Sequence, residues 1–87
     1  MKYLYNTGNK VCARAIEVEL EGENIVSVKF FGGCEGNHRG IEQLVAGMSA
    51  SEAIKRLSGI TCGNRTTSCP DQLACALAEA AESVSKQ

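Results

Sequence analysis

The sequence contains no tryptophan, a single proline, a single histidine, and only two tyrosines and two phenylalanines. With so few rings, the core must be built mainly from Val, Ile, Leu and Ala. No apolar run approaches the roughly 18 residues of a spanning helix, and no signal-peptide pattern follows Met1. The chain therefore reads as cytoplasmic, with no membrane association. A net charge of -1, with both signs interspersed, removes any electrostatic case for nucleic acid or an anionic membrane. One histidine, His38, supports no Ser-His-Asp or Cys-His-Asn arrangement. The glycines at 32, 33, 36 and 40 are followed by no G-K-[ST], which excludes a P-loop.

What the chain does have is cysteine. Cys12, Cys34, Cys62, Cys69 and Cys75 make five in 87 residues. The number is odd and the compartment reads as reducing, so metal or redox use is favoured over structural disulfides. A chain this short forms one domain, residues 1–87, with a marginal core. Such domains gain from a staple: disulfides, a metal, or a partner subunit such as a second copy. Cys75 is read as a small buried hydrophobe.

Lys2 to Asn6 predict a short strand, followed by a turn at Thr7-Gly8-Asn9. From Val11 the pattern alternates, with Cys12, Arg14, Ile16, Val18 and Leu20 on one face and Glu17 and Glu19 on the other. After a turn at Glu21-Gly22-Glu23-Asn24, Val26, Val28 and Phe30 share one face, opposite Ser27, Lys29 and Phe31. A hairpin register that keeps the apolar faces together pairs Leu20 with Val26, Val18 with Val28 and Ile16 with Phe30. Carried outward, it sets Cys12 opposite Cys34. Pairing Val18 with Val26 instead sets Cys12 opposite Gly32, still one residue pair from Cys34.

Ile41, Leu44, Val45 and Met48 predict a helix from about Asn37 to Ala46, with Asn37 as its cap and Gly47 as its stop. Ser49-Ala50-Ser51-Glu52 has the form of a capping box for a helix carrying Ala53, Ile54 and Leu57, ended by Gly59. A polar loop, Ile60 to Thr67, contains Cys62. The last helix starts near Cys69 or Pro70, carries Leu73, Leu77, Ala80 or Ala81, and Val84 on one face, and frays from Ser83. The fold class is α+β: an antiparallel hairpin or three-stranded sheet followed by two to three helices packed on one face.

Thr67-Ser68-Cys69-Pro70-Asp71 sets a thiol at a helix start, where free backbone N–H groups and the helix dipole favour its thiolate. If the Leu73–Leu77 stripe packs on the sheet, that helix start approaches the Cys12/Cys34 end, with Cys62 on the loop beside it. Four thiolates converging there suit Zn²⁺ or an iron–sulfur centre. Asp71 stands where a capping box closes, and its alternative role is as a metal ligand or as an acceptor that tunes a metal-bound thiolate from behind. Glu35 reads as solvated. Arg14 reads either as an offset to thiolate charge or as a surface residue. His38, in the first turn after Cys34, reads as a lone exposed histidine, with a metal ligand as the less favoured alternative. The glycines around Cys34 read as positions of positive φ and close backbone approach.

Gly33-Cys34-Glu35-Gly36-Asn37, Cys62-Gly63 and Thr67-Ser68-Cys69-Pro70-Asp71-Gln72-Leu73-Ala74 resemble the small bacterial TSCPD-domain proteins over essentially the whole chain. That domain also occurs as a C-terminal appendage of ribonucleotide reductases, notably adenosylcobalamin-dependent ones. The resemblance implies Cys12, Cys34, Cys62 and Cys69 as metal ligands, with Cys75 an extra. It also implies an association with ribonucleoside-diphosphate reductase, a nucleotide-binding oxidoreductase of DNA synthesis. Catalysis by this chain alone is not expected, because a radical thiol, a redox pair and a nucleotide pocket need a large barrel. No catalytic residue is assigned.

The layout is also similar, more distantly, to the IscU/NifU-type iron–sulfur scaffold proteins. Cys12, Cys34 and Cys69 match their three cysteines, and a cysteine desulfurase is the partner this likeness implies. The chain departs from that pattern: it has no histidine beside Cys69, no aspartate shortly after Cys12, and an additional Cys62. Three functions follow as expectations: a zinc or other metal-binding module, an iron–sulfur scaffold or carrier, and a thiol-redox accessory of a reductase.

Overall fold

The computed structural model describes residues 2–8, 13–32, 35–60 and 67–85. Three strands come first: β1 (Lys2–Asn6), β2 (Ala15–Glu21) and β3 (Asn24–Phe31). Three helices follow: α1 (Glu35–Val45), α2 (Ala50–Leu57) and α3 (Cys69–Ser85). The sheet is antiparallel in the order β1-β2-β3, so the α+β reading holds in its three-stranded, three-helix form.

Alternation along β2 buries Ile16, Val18 and Leu20. With Val28 and Phe30 of β3 they form a face on which α3 lays Leu73, Ala76, Leu77 and Ala80. Each fully buried Val, Leu or Ile contributes about 1.5–3 kcal/mol through its removal from water. Tyr3 and Tyr5 of β1 extend the same face, pairing with Val18 and Ile16. Their rings pack on the core while their hydroxyls reach α3, Tyr3 donating to Glu79 Oε1 at 2.7 Å and Tyr5 to Gln72 Oε1 at 3.2 Å.

The hairpin register agrees with expectation at Val18↔Val28 and Ile16↔Phe30 but not at its closed end. Leu20 pairs with Ile25, because the register shifts at Glu19/Leu20. Val26 and Ser27 consequently both face outward, and Ile25, 1% exposed, takes the inward position assigned to Val26. A bulge of this kind lets two apolar residues one position out of step with the pleat be sorted by burial. It also leaves Glu21 paired with Asn24, closing a two-residue turn whose first member, Gly22, has φ +62°. Two-residue hairpin turns favour glycine at that position.

At the other end the alternation stops short of Arg14. The ladder closes at Ala15↔Phe31; Arg14 is exposed in a bend, while Ala13 is fully buried. A guanidinium brought onto the apolar face would lose its water without gaining a partner. Gly32, at φ +82°, turns the chain beside the Arg14 side chain, as expected of the glycines near Cys34. Gly36 and Gly40 correct that expectation: both are helical residues of α1 without positive φ, and a Cβ at either would meet nothing.

The free edge of β3 is covered rather than open. Glu42 of α1 accepts the Phe30 N–H at 2.8 Å. Further along, Ile25 donates to Met48 O at 2.8 Å and accepts from Gly47 N at 2.8 Å. Helix α1 starts at Glu35, two residues before the expected cap, so Asn37 lies inside it. The inward stripe of Ile41 and Val45 runs back one turn to His38, which is buried. Leu44, expected on the stripe, is 76% exposed. Ser49 caps α2 as expected, its hydroxyl accepting the Glu52 N–H at 3.2 Å.

Candidate functional site

Ser68 forms the start of α3. Its hydroxyl accepts the Asp71 N–H at 3.2 Å, and its carbonyl accepts the Gln72 N–H at 2.8 Å. This is the N-cap geometry that serine favours. Cys69 is then the first helical residue and Pro70 the second, where a missing N–H costs no intrahelical bond. The Ser68 hydroxyl also donates to Ile60 O at 2.6 Å.

Asp71 does not complete a capping box with its carboxylate. It accepts instead from the Thr67 hydroxyl and, at 2.7 Å, from the Gly59 N–H. The Thr67 bond first, then the Gly59 N–H, hold its carboxyl below the usual carboxylate range, against a smaller opposing effect of burial. Thr67 in turn accepts from Gln72 Nε2 at 2.9 Å, and Gln72 accepts from Tyr5. Burial first, and then the neighbouring Cys75, push the Tyr5 phenol up. Residues 67–72 are thereby fixed to both the end of α2 and the sheet, and Cys69 is set on a rigid corner.

The expectations for the cysteines divide. Cys69 lies at the start of α3, half-buried and free, in contact with the core. Cys75 is also free and half-buried, beside Tyr5. Cys12, Cys34 and Cys62 lie outside the described residues, and so does the expected pairing of Cys12 with Cys34. Among the described residues no three His, Cys, Asp or Glu side chains group as metal ligands. No described helix is long and apolar enough to cross a membrane.

His38 corrects an expectation, since it is buried and not exposed. Its ring is 5% exposed and stacks on Phe30, with centroids 4.3 Å apart and planes at 16°. Its Nε2 lies 3.2 Å from Cys69 Sγ. The signal was available: positions 38, 41 and 45 share one helical face, and the apolar residues Ile41 and Val45 mark that face as inward. An open cleft lined by Glu17, Lys29, Phe30, His38 and Glu42, among others, runs between β3 and α1 beside this ring.

No curated protein and no solved structure was found to match the chain. The family model of the TSCPD domain matches residues 2–81, spanning all three strands and most of α3, including the Thr67–Asp71 corner just described. On that match, the chain belongs to the TSCPD-domain family.

Proposed function

We propose that this chain is a small metal-binding domain that holds one zinc ion or iron–sulfur centre through thiolates and serves as an accessory to a ribonucleotide reductase. The donor pool is Cys12, Cys34, Cys62 and Cys69, with Asp71 acting behind them by fixing the corner that carries Cys69. One observation carries the reading. Cys69 Sγ is held on the capped first residue of α3, with a buried imidazole nitrogen 3.2 Å away. Soft sulfur donors, with or without imidazole, select zinc or iron–sulfur centres.

The test is metal analysis and visible absorption of protein purified without oxygen, for wild type and Cys69→Ser. Zinc binding gives one colourless equivalent per chain; an iron–sulfur centre gives a brown protein. Cys69→Ser is expected to lose most of the metal. A wild-type protein without metal, whose thiols instead cycle through a reversible disulfide, would replace this reading with the redox one.

A further inference from the structure

We infer that His38 Nε2 is a ligand to the same metal ion as Cys69 Sγ, so that the pair forms a ready-made nitrogen–sulfur bite. The inference rests on the reading that the chain binds metal. The spacing fits. Zn–S near 2.3 Å and Zn–N near 2.0–2.1 Å at a tetrahedral angle put the two donor atoms about 3.5 Å apart. They stand at 3.2 Å, so a few tenths of an ångström of opening admits the ion.

The ring is also held in place before any ion arrives. Helix α1 supplies its backbone, and the Phe30 ring supports one face at 4.3 Å, leaving Nε2 aimed at α3. Cys69 is equally fixed, because Ser68 and Asp71 tie its backbone to Ile60 and Gly59. Two donors whose positions are set before binding lose little freedom when the metal arrives. The cleft between β3 and α1 reaches the ring from outside, with Glu17 and Glu42 balanced by Lys29 and Arg39 on its wall. Binding is balanced simply: the thiol gives its proton to solvent, Nε2 offers its lone pair, and the ring proton resides on Nδ1.

The chain has a single histidine, so the test needs no variant to be unambiguous. Full-length protein labelled with ¹⁵N-histidine is prepared without oxygen and metal, then titrated with ¹¹³Cd²⁺ as a zinc surrogate. The expected result is one cadmium per chain and a one-bond ¹¹³Cd–¹⁵N splitting on the Nε2 resonance. Stoichiometric cadmium with no splitting overturns the inference while leaving metal binding through thiolates standing. No cadmium binding overturns both. In Cys69→Ser the ¹¹³Cd resonance should move upfield, as sulfur leaves the donor set; an unmoved resonance with intact splitting would separate His38 from Cys69. His38→Gln is expected to weaken cadmium binding by at least about tenfold, since loss of an outer-shell partner alone costs 10–100-fold.

Discussion

Asp71 and Gly59 are joined by a 2.7 Å hydrogen bond from the Gly59 N–H to Asp71 Oδ1, spanning twelve positions of sequence. The bond ties the end of α2 to the first turn of α3. Thr67 donates to the other Asp71 oxygen, and Ser68 donates to Ile60 O, so the two flanks of residues 61–66 are stitched together by side chains of the Thr67–Asp71 corner. The carboxylate of that corner therefore ties α3 to the end of α2 and does not cap the helix. It fixes the backbone on either side of the segment that contains Cys62.

This bond makes stability depend on acid in a defined direction. The Asp71 carboxyl is held below its ordinary value in the folded chain. Its contribution is thus fully present above the unfolded carboxylate pKa of about 3.9 and is lost as pH falls through the lower folded value. The residue is half-buried and still in reach of solvent, so screening limits the effect to under about 1 kcal/mol. Urea midpoints of wild type and Asp71→Asn, measured from pH 6 down to pH 2, should differ most at pH 6 and converge at the acid end. Two parallel curves would show that the Thr67 and Gly59 bonds contribute nothing specific to the charged form.

How much of this was legible in the sequence depended on whether one short-range rule decided each position. Alternation and a shared apolar face allow two registers, and Val18↔Val28 with Ile16↔Phe30 is one of them, the one the sheet adopts. Ser49 and Ser68 were placed by cap chemistry that acts over three residues. The failures came where tertiary burial overrode the local pattern. Val26 and Ile25 are equally apolar, and only the bulge decides which goes inward. Arg14 continues the alternation but cannot be buried, so the strand stops before it. His38 looked incidental because a polar residue ended the visible stripe of Ile41 and Val45. Its stacking on Phe30 and its approach to Cys69 show that the stripe continues through it, as the shared face of positions 38, 41 and 45 allows. The Gly59 partner of Asp71 was not readable, since it contributes a backbone N–H that leaves no trace in residue type.

The bulge in β3 gives a sharp contrast between neighbours. Ile25 is 1% exposed and belongs to the core; Val26 is 45% exposed on the outer face. Ile25→Ala should cost about 2–5 kcal/mol through lost burial and the cavity left behind. Val26→Thr, which keeps the β-branch on a solvated surface, should stay within about 0.5 kcal/mol of wild type. Denaturant midpoints with unchanged slopes read both values. If Val26→Thr proved the more damaging of the two, the strand would be in the regular register with Leu20 opposite Val26.

Gly40 offers a gain in stability where the sequence suggested a constraint. It lies within α1, exposed, with no positive φ, and a Cβ there would meet no atom within 4 Å. Glycine in a helix interior is less favourable than alanine by roughly 0.5–1 kcal/mol, through the backbone freedom it loses on folding. Gly40→Ala should therefore stabilise the chain by about that amount and raise the melting temperature by roughly 2–8 °C. The substitution lies two residues after His38 without touching the His38–Cys69 pair, so metal stoichiometry should be unchanged. A lower melting temperature with the fold intact would mean that the outer face of α1 at Gly40 is approached by something a methyl group obstructs. Light scattering across a range of protein concentrations would then show whether that something is a second copy of the chain.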